Sequence, residues 1–150
     1  MEFNELIDDF ASRHKVADLL VVNSAASLDI DGIIIIIVAN GDMLTLSAEI
    51  GEPPAEGEAT FSNLLLEANT QSGICFAKSP DSGPYLILRR LLLSVLDGAT
   101  FDSELEAFVN NAETWRRLLA DFRPMAKASA KLSESGEGSP KFGADNFMKV

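Results

Sequence analysis

The sequence predicts an α+β fold, an antiparallel twisted sheet with three helices in the order α-β-β-β-α-β-β-α. Three observations predict it. Apolar residues near both ends of residues 3–122 recur with the period of an amphipathic helix. Five consecutive isoleucines, Ile33–Ile37, lie between the turn dipeptides Asp31-Gly32 and Asn40-Gly41. The segment Met43–Ile50 then alternates apolar and polar side chains, as a half-covered strand does.

Each element has its own signal. Phe3, Leu6, Ile7, Phe10 and His14 share one face of a first helix over residues 3–14. Val16, Leu19, Leu20, Val21 and Val22 read as an apolar connector. Ala26–Ile30, Ile33–Val38 and Met43–Ile50 read as strands joined by two-residue turns that need φ > 0. The isoleucines are β-branched and favour strand over helix. Their unbroken run predicts a central strand covered on both faces. In Met43–Ile50, Leu44, Leu46, Ala48 and Ile50 share one face, and Thr45, Ser47 and Glu49 the other.

Pro53, Pro54 and three glutamates make Gly51–Glu58 a loop. Thr60 is the expected cap of a second helix, Phe61–Thr70, with Phe61, Leu64, Leu65 and Ala68 on its core side. Leu66 points elsewhere and needs a separate cover. Gly73–Lys78 and Tyr85–Leu92 read as strands flanking a turn at residues 79–84. The last helix lies within Thr100–Phe122, with Ser103 and Glu106 as its expected capping box. Its apolar stripe is Leu105, Phe108, Val109, Ala112, Trp115, Leu118, Leu119 and Phe122. Residues 1–123 thus form one domain. Residues 124–150, rich in Ala, Ser, Lys and Gly, read as a largely disordered tail.

Composition narrows the function. A chain of 150 residues buries enough surface to fold without disulfides or metals. The single cysteine, Cys75, reads as a buried thiol in a strand and fits a reducing compartment. The first ten residues lack a cationic start and an unbroken apolar core, so no signal peptide is expected. The longest apolar run, Ile33–Ala39, is far short of the ~20 residues of a membrane span. Residues 1–122 carry 20 acidic and 7 basic side chains, a net of −13. Such a body repels nucleic acid and anionic membrane and attracts cationic segments of a protein partner. The same acidity also serves solubility. The reading is a soluble, cytoplasmic protein.

No catalytic set stands out. His14 is the single histidine, so a Ser-His-Asp triad has one candidate base, and its place on the apolar edge of a helix favours a structural role. The pairs Asp8-Asp9 and Asp29/Asp31 lack the further ligands a metal site needs. Neither phosphate-binding glycine pattern occurs. The expectation is a non-enzyme without cofactor or metal. What remains is apolar surface in excess of what one sheet needs for cover, the mark of an interface. Leu6, Phe10, Val16, Leu19 and Leu20, with Leu28 and Ile30 at a sheet edge, form the expected partner-facing set, with core packing the competing assignment for each.

Several local motifs resemble the CesT (Tir chaperone) family, the small acidic class I chaperones of bacterial type III secretion. Leu64-Leu65-Leu66-Glu67-Ala68-Asn69 is similar to the family's Leu-Leu-x-Ala-Asn region, with one extra residue. Tyr85–Leu93 is similar to the strand before its last helix, although no proline stands at that strand's exit. Phe108-Val109 through Ala112-Glu113-Thr114-Trp115 resembles its Phe-Val-x-x-Ala-Glu-x-Trp signature.

The resemblance implies a secretion-chaperone-like homodimer in the bacterial cytoplasm. It implies that the dimer binds the extended N-terminal segment of a secreted effector and keeps it secretion-competent without ATP. Following the family, the dimer contacts expected are Leu66, Asn69, Ile74, Phe76 and Ile87. The alternatives are a regulatory or scaffold homodimer of the same fold with a folded protein partner, and a small enzyme using Asp29 and Asp31.

Overall fold

The computed structural model describes residues 2–16, 18–70, 73–80 and 83–123. The expected tail, residues 124–150, lies outside the described residues. Helix α1 spans Phe3–His14 and is followed by strands β1 (Leu20–Val22), β2 (Ala25–Ile30), β3 (Ile33–Asn40) and β4 (Met43–Gly51). Helix α2 (Glu58–Ala68), strands β5 (Ile74–Lys78) and β6 (Tyr85–Leu92), a 3-10 turn at Leu93–Val95 and helix α3 (Gly98–Asp121) complete the fold. All strand pairs are antiparallel, and the sheet order is β1-β2-β3-β4-β6-β5.

The α+β class with three helices is as expected, with one strand more. Part of the apolar connector is β1: Val22 pairs with Ala25 across Asn23-Ser24, and Asn23 takes φ 54 to turn the chain. Asparagine tolerates that left-handed angle, but Asn-Ser is a weak turn signal beside Asn-Gly or Asp-Gly. The β2–β3 turn has Asp31 at φ 54 and Gly32 at φ 83, the two positive angles of a type I′ hairpin. Asp29 closes it, its Oδ1 accepting the Gly32 N–H at 2.8 Å. The β3–β4 turn is Gly41-Asp42, one position later than expected, because Asn40 already pairs with Met43.

Two helix starts also differ. α3 begins at Gly98, where Asp97 Oδ1 accepts the Thr100 N–H at 2.7 Å. This true N-cap outranks the Ser103–Glu106 box, which lies inside the helix. The hydrogen bond holds the Asp97 carboxyl below the usual carboxylate range. α2 begins at Glu58, before Thr60, after Gly57 at φ 81.

All three helices pack on one face of the sheet. From that face rise Leu28 of β2, Ile33, Ile35 and Ile37 of β3, Leu44 and Leu46 of β4, and Ile87 of β6, all buried. α1 adds Phe3, Leu6, Ile7 and Phe10, and α3 adds Phe101, Leu105, Phe108, Val109 and Ala112. Of the expected α3 stripe, Leu118 is exposed and Trp115, Leu119 and Phe122 are half-buried. Of the expected α2 stripe, Leu64 is exposed. Phe61 joins α2 to this end of α3, with Phe122 at 5.2 Å and Trp115 at 6.4 Å. β4 ends in a bulge at Gly51, whose φ of 134 disfavours any side chain and whose missing Cβ lets the Leu119 side chain pack close.

The isoleucine run departs most from expectation. β3 is an interior strand, but only Ile33, Ile35 and Ile37 are covered. Ile34 is 58% exposed, and Ile36 and Val38 are exposed beside it. The sheet is apolar throughout its inner face and carries an apolar row along β3 on its outer one, between the polar outward side chains of β2 and β4.

Candidate protein-binding surfaces

The sheet has two edges with different chemistry. At the β5 edge, Asn69 follows α2 and places its side chain against Phe76: Oδ1 accepts the Phe76 N–H at 2.6 Å, and Nδ2 donates to the Phe76 carbonyl at 3.5 Å. The amide thus occupies backbone groups that an added strand would need. At the β1 edge, among the described residues, no group bonds to the outer side of Leu20–Val22. All three side chains of β1 are exposed, Leu20 at 65%. An apolar strand with open backbone groups is a template for a further strand.

Register assigns those side chains to faces. Leu20 is opposite Ser27 and Val22 opposite Ala25, so both lie on the uncovered face. Val21 is opposite the buried Ala26 and lies on the helix side. On the helix side, where the carboxyl end of α1 and the β2–β3 turn meet α3, a cleft of about 430 Å³ opens between Phe10, Val16, Ile30, Leu105 and Val109. Its rim carries Asp31 and Glu106, and also Asp102, which is already paired with Arg13 and His14. Such a site suits an apolar side chain within a basic segment.

Of the seven residues expected to face a partner, four have surface to offer. Leu20 is exposed, and Val16, Leu19 and Ile30 are half-buried. Leu6, Phe10 and Leu28 are buried in the subunit core, with Phe10 reaching the floor of the cleft. One apolar stripe on α1 serves both core and cleft, which periodicity alone cannot divide. Val21 and Val22 were not singled out, although their exposure equals the others' in kind. Their signal lay in the apolar run itself, once paired as a strand.

The five expected dimer residues divide in the same way. Leu66, 63% exposed, and Asn69 and Phe76 line a groove of about 240 Å³ between α2 and β5, with Leu65, Ser62 and Tyr85. Ile74 lies apart, in a hollow with Arg89, Glu104 and Phe108. Ile87 is fully buried and Phe76 nearly so. Ile87 sits at an inward position of β6, so its side chain cannot touch a second copy. Cys75 is half-buried on edge strand β5 rather than fully buried.

His14 has a structural role. Its ring lies 4.6 Å from Phe10, and its Nε2 is 3.0 Å from Asp102 Oδ2. Arg13 bonds the same carboxylate and also Asp9, tying α1 to α3. The Arg13 guanidinium holds the Asp102 carboxyl below its ordinary range, and His14 adds to the effect. Asp29 is spent on the β2–β3 turn, so the Asp29/Asp31 pair does not converge as a reacting set. Among the described residues no cluster of three or more His, Cys, Asp or Glu could hold a metal. Among them also, no helix is long and apolar enough to cross a membrane.

The family profile of the Tir chaperone protein (CesT) family matches residues 5–116, from α1 into the last third of α3. The chain belongs to the CesT family. Solved structures with this fold include three protein complexes. The HopA1–SchA chaperone–effector complex matches at 16% identity and TM-score 0.65, over 77% of this chain and 93% of the matched chain. The ExsC–ExsE complex matches at 22% and 0.66, over 77% and 92%. The Yersinia pestis type III secretion chaperone SycH, bound to a fragment of YscM2, matches at 19% and 0.62, over 76% and 99%. At these identities the likeness shows the fold. No curated protein sequence matches significantly. Within this CesT-family chain, the matched region holds the free β1 edge, the cleft and the α2–β5 groove.

Proposed function

We propose that the protein is a type III secretion chaperone, a non-enzyme of the bacterial cytoplasm. It binds the extended N-terminal segment of a secreted effector and keeps it secretion-competent without ATP. The observation that carries this reading is the bare, apolar β1 edge beside the acidic-rimmed cleft, in a chain of the CesT family. The client backbone pairs with β1, as an added strand does in β-augmentation. Its alternate side chains then meet Leu20 and Val22 on one face and the Val21 side on the other. Further apolar side chains fill the cleft at Val16 and Ile30. Ordering a segment costs about 2–5 kcal/mol or more. Three or four buried apolar side chains, at roughly 1.5–3 kcal/mol each, offset that cost.

The protein acts as a homodimer, with a second copy covering Leu66 and the α2–β5 groove. This leaves both β1 edges outward, one per subunit. Support comes from Leu66, a large apolar side chain beside a groove at the capped sheet edge.

The test is hydrogen exchange on the full chain, alone and with the N-terminal fragment of the secreted protein encoded beside it. Amides of Leu20–Val22 should gain protection, and the fragment should gain protease resistance only where it pairs. Binding that leaves the β1 amides exchanging as before would overturn the strand-addition reading. A requirement for a folded client would favour the regulatory or scaffold alternative.

A further inference from the structure

Strand addition at β1 and dimerisation at α2 leave most of the outer sheet face uncovered among the described residues. Ile34 (58% exposed), Ile36 (39%) and Val38 (41%) stand in a row on β3. Register places Ile36 opposite Ser47 and Ser47 opposite Leu88, and it places Met43 opposite Leu92. Met43 and Leu92 are exposed too. A depression of about 320 Å³ lies at one end, lined by Gly32, Ile34, Ile36, Ser47, Glu49 and Leu86. Arg116 of α3 borders it, donating to the Gly32 carbonyl at 3.3 Å. This apolar row is flanked by polar side chains, Ser27 and Asp29 on β2 and Thr45 and Ser47 on β4, and three large exposed aliphatic side chains in one row mark a contact site.

The chain supplies one. α3 ends at this same end of the sheet, where Arg116 reaches Gly32 and Leu119 lies against Gly51. Residues 124–150 continue from there, and the last ten of them hold Phe142, Phe147, Met148 and Val150 together with Lys141, Asp145 and Lys149. The eighteen residues Pro124–Lys141 are rich in Ser, Ala and Gly. A random coil of eighteen residues would span about 23 Å on average. Six strands at their usual spacing measure about 24 Å across. A tether of that reach is about as long as the sheet is wide, enough to carry the last ten residues round to the outer face and raise their effective concentration there. Charge agrees in sign: Lys141 and Lys149 outnumber Asp145 in the last ten residues, and residues 1–122 carry a net of −13.

We propose that residues 141–150 dock on the open sheet face of their own subunit, through Phe142, Phe147 and Met148 over Ile34, Ile36 and Val38. The segment shields this face and, because Leu20 and Val22 belong to it, competes with a client at β1. The competition rests on the function proposed above; the docking does not.

The experiment compares the full chain with a chain ending at Arg123, which retains every described element. The first readout needs no client: binding of the dye ANS, and titration of a synthetic peptide of residues 141–150 into the shortened protein. The shortened protein should bind ANS several-fold more than the full chain, and the peptide should displace the dye. Phe147→Asp in the full chain, a change outside the described residues, should reproduce the truncation. Ile36→Lys in the shortened protein should abolish peptide binding while leaving the melting temperature within a few degrees. Equal ANS binding by full and shortened chains would overturn the docking. So would peptide binding that survives Ile36→Lys, and so would dye binding that falls with protein concentration in both chains alike, which marks a second copy as the occupant. The second readout is client affinity, which should rise at least threefold on truncation. If docking is confirmed but affinity is unchanged, the competition is refuted and the client site lies elsewhere.

Discussion

Replacing Leu20 by aspartate separates binding from folding. Leu20 is 65% exposed in the free subunit, so about a third of its side chain is already covered. Full burial of a leucine contributes roughly 1.5–3 kcal/mol, so the fold should lose no more than about 1 kcal/mol. A client strand would cover the remaining two thirds, about 1–2 kcal/mol of binding free energy. An aspartate there would also have to shed water without a partner, which costs further. Since about 1.4 kcal/mol is a factor of ten, the client should bind at least tenfold more weakly. Leu28→Ala is the contrast. Leu28 is 1% exposed on the adjacent strand, and truncating it should cost about 2–5 kcal/mol of stability. Titration calorimetry with the client fragment, paired with thermal melts, reads both quantities. Leu20→Asp should lower affinity and barely move the melting temperature, whereas Leu28→Ala should lower the melting temperature by roughly 10 °C or more. Undiminished affinity in Leu20→Asp would refute the β1 site. A melting temperature as low as that of Leu28→Ala would show that Leu20 belongs to the core.

Leu66→Asp should give a monomer by light scattering, with secondary structure and client affinity per subunit little changed; a dimer that persists would remove the α2–β5 groove as the interface. Acid should destabilise the protein in a defined window. The carboxyls of Asp97 and Asp102 have folded pKa values depressed below the unfolded ones near 3.9, so their stabilisation is present above that value and is lost as pH falls through the folded values. The urea midpoint should hold from pH 7 to pH 5 and drop below pH 4, and the double variant Asp97→Asn, Asp102→Asn should show a smaller drop from a lower start. Gly51→Val should cost about 1–3 kcal/mol for its backbone angle alone, with more from the encounter with Leu119; an unchanged urea midpoint would show that the bulge is not constrained.

Much of this molecule is legible in its sequence for local reasons. Phe3, Leu6, Ile7 and Phe10 are spaced for one helix face, and that face is the one buried. Tyr85–Leu92 is a strand with the boundaries expected of it. Asp31-Gly32 turns as its residues require. Leu66 pointed away from its helix's covered side, and it is exposed. Where the reading missed, two local signals competed. Asp97 and Ser103 are both able caps, and the earlier one starts the helix because the extra turn buries Phe101. Leu20–Val22 has the composition of a strand but too short a length and too weak a turn to declare one.

The chain by itself determined the three helices and five of the six strands, and that the sum of their apolar faces exceeds one core. Each of those properties depends on residues near one another in sequence. Only the tertiary structure decided which greasy side chains are spent inside. Ile33 and Ile34 are chemically identical neighbours, yet all three helices lie on one side of the sheet, so the first is sealed and the second bare. The same asymmetry separates Leu28 from Leu20 and Ile87 from Leu66. Burial is a property of what packs opposite a residue, and that is set by elements far away along the chain.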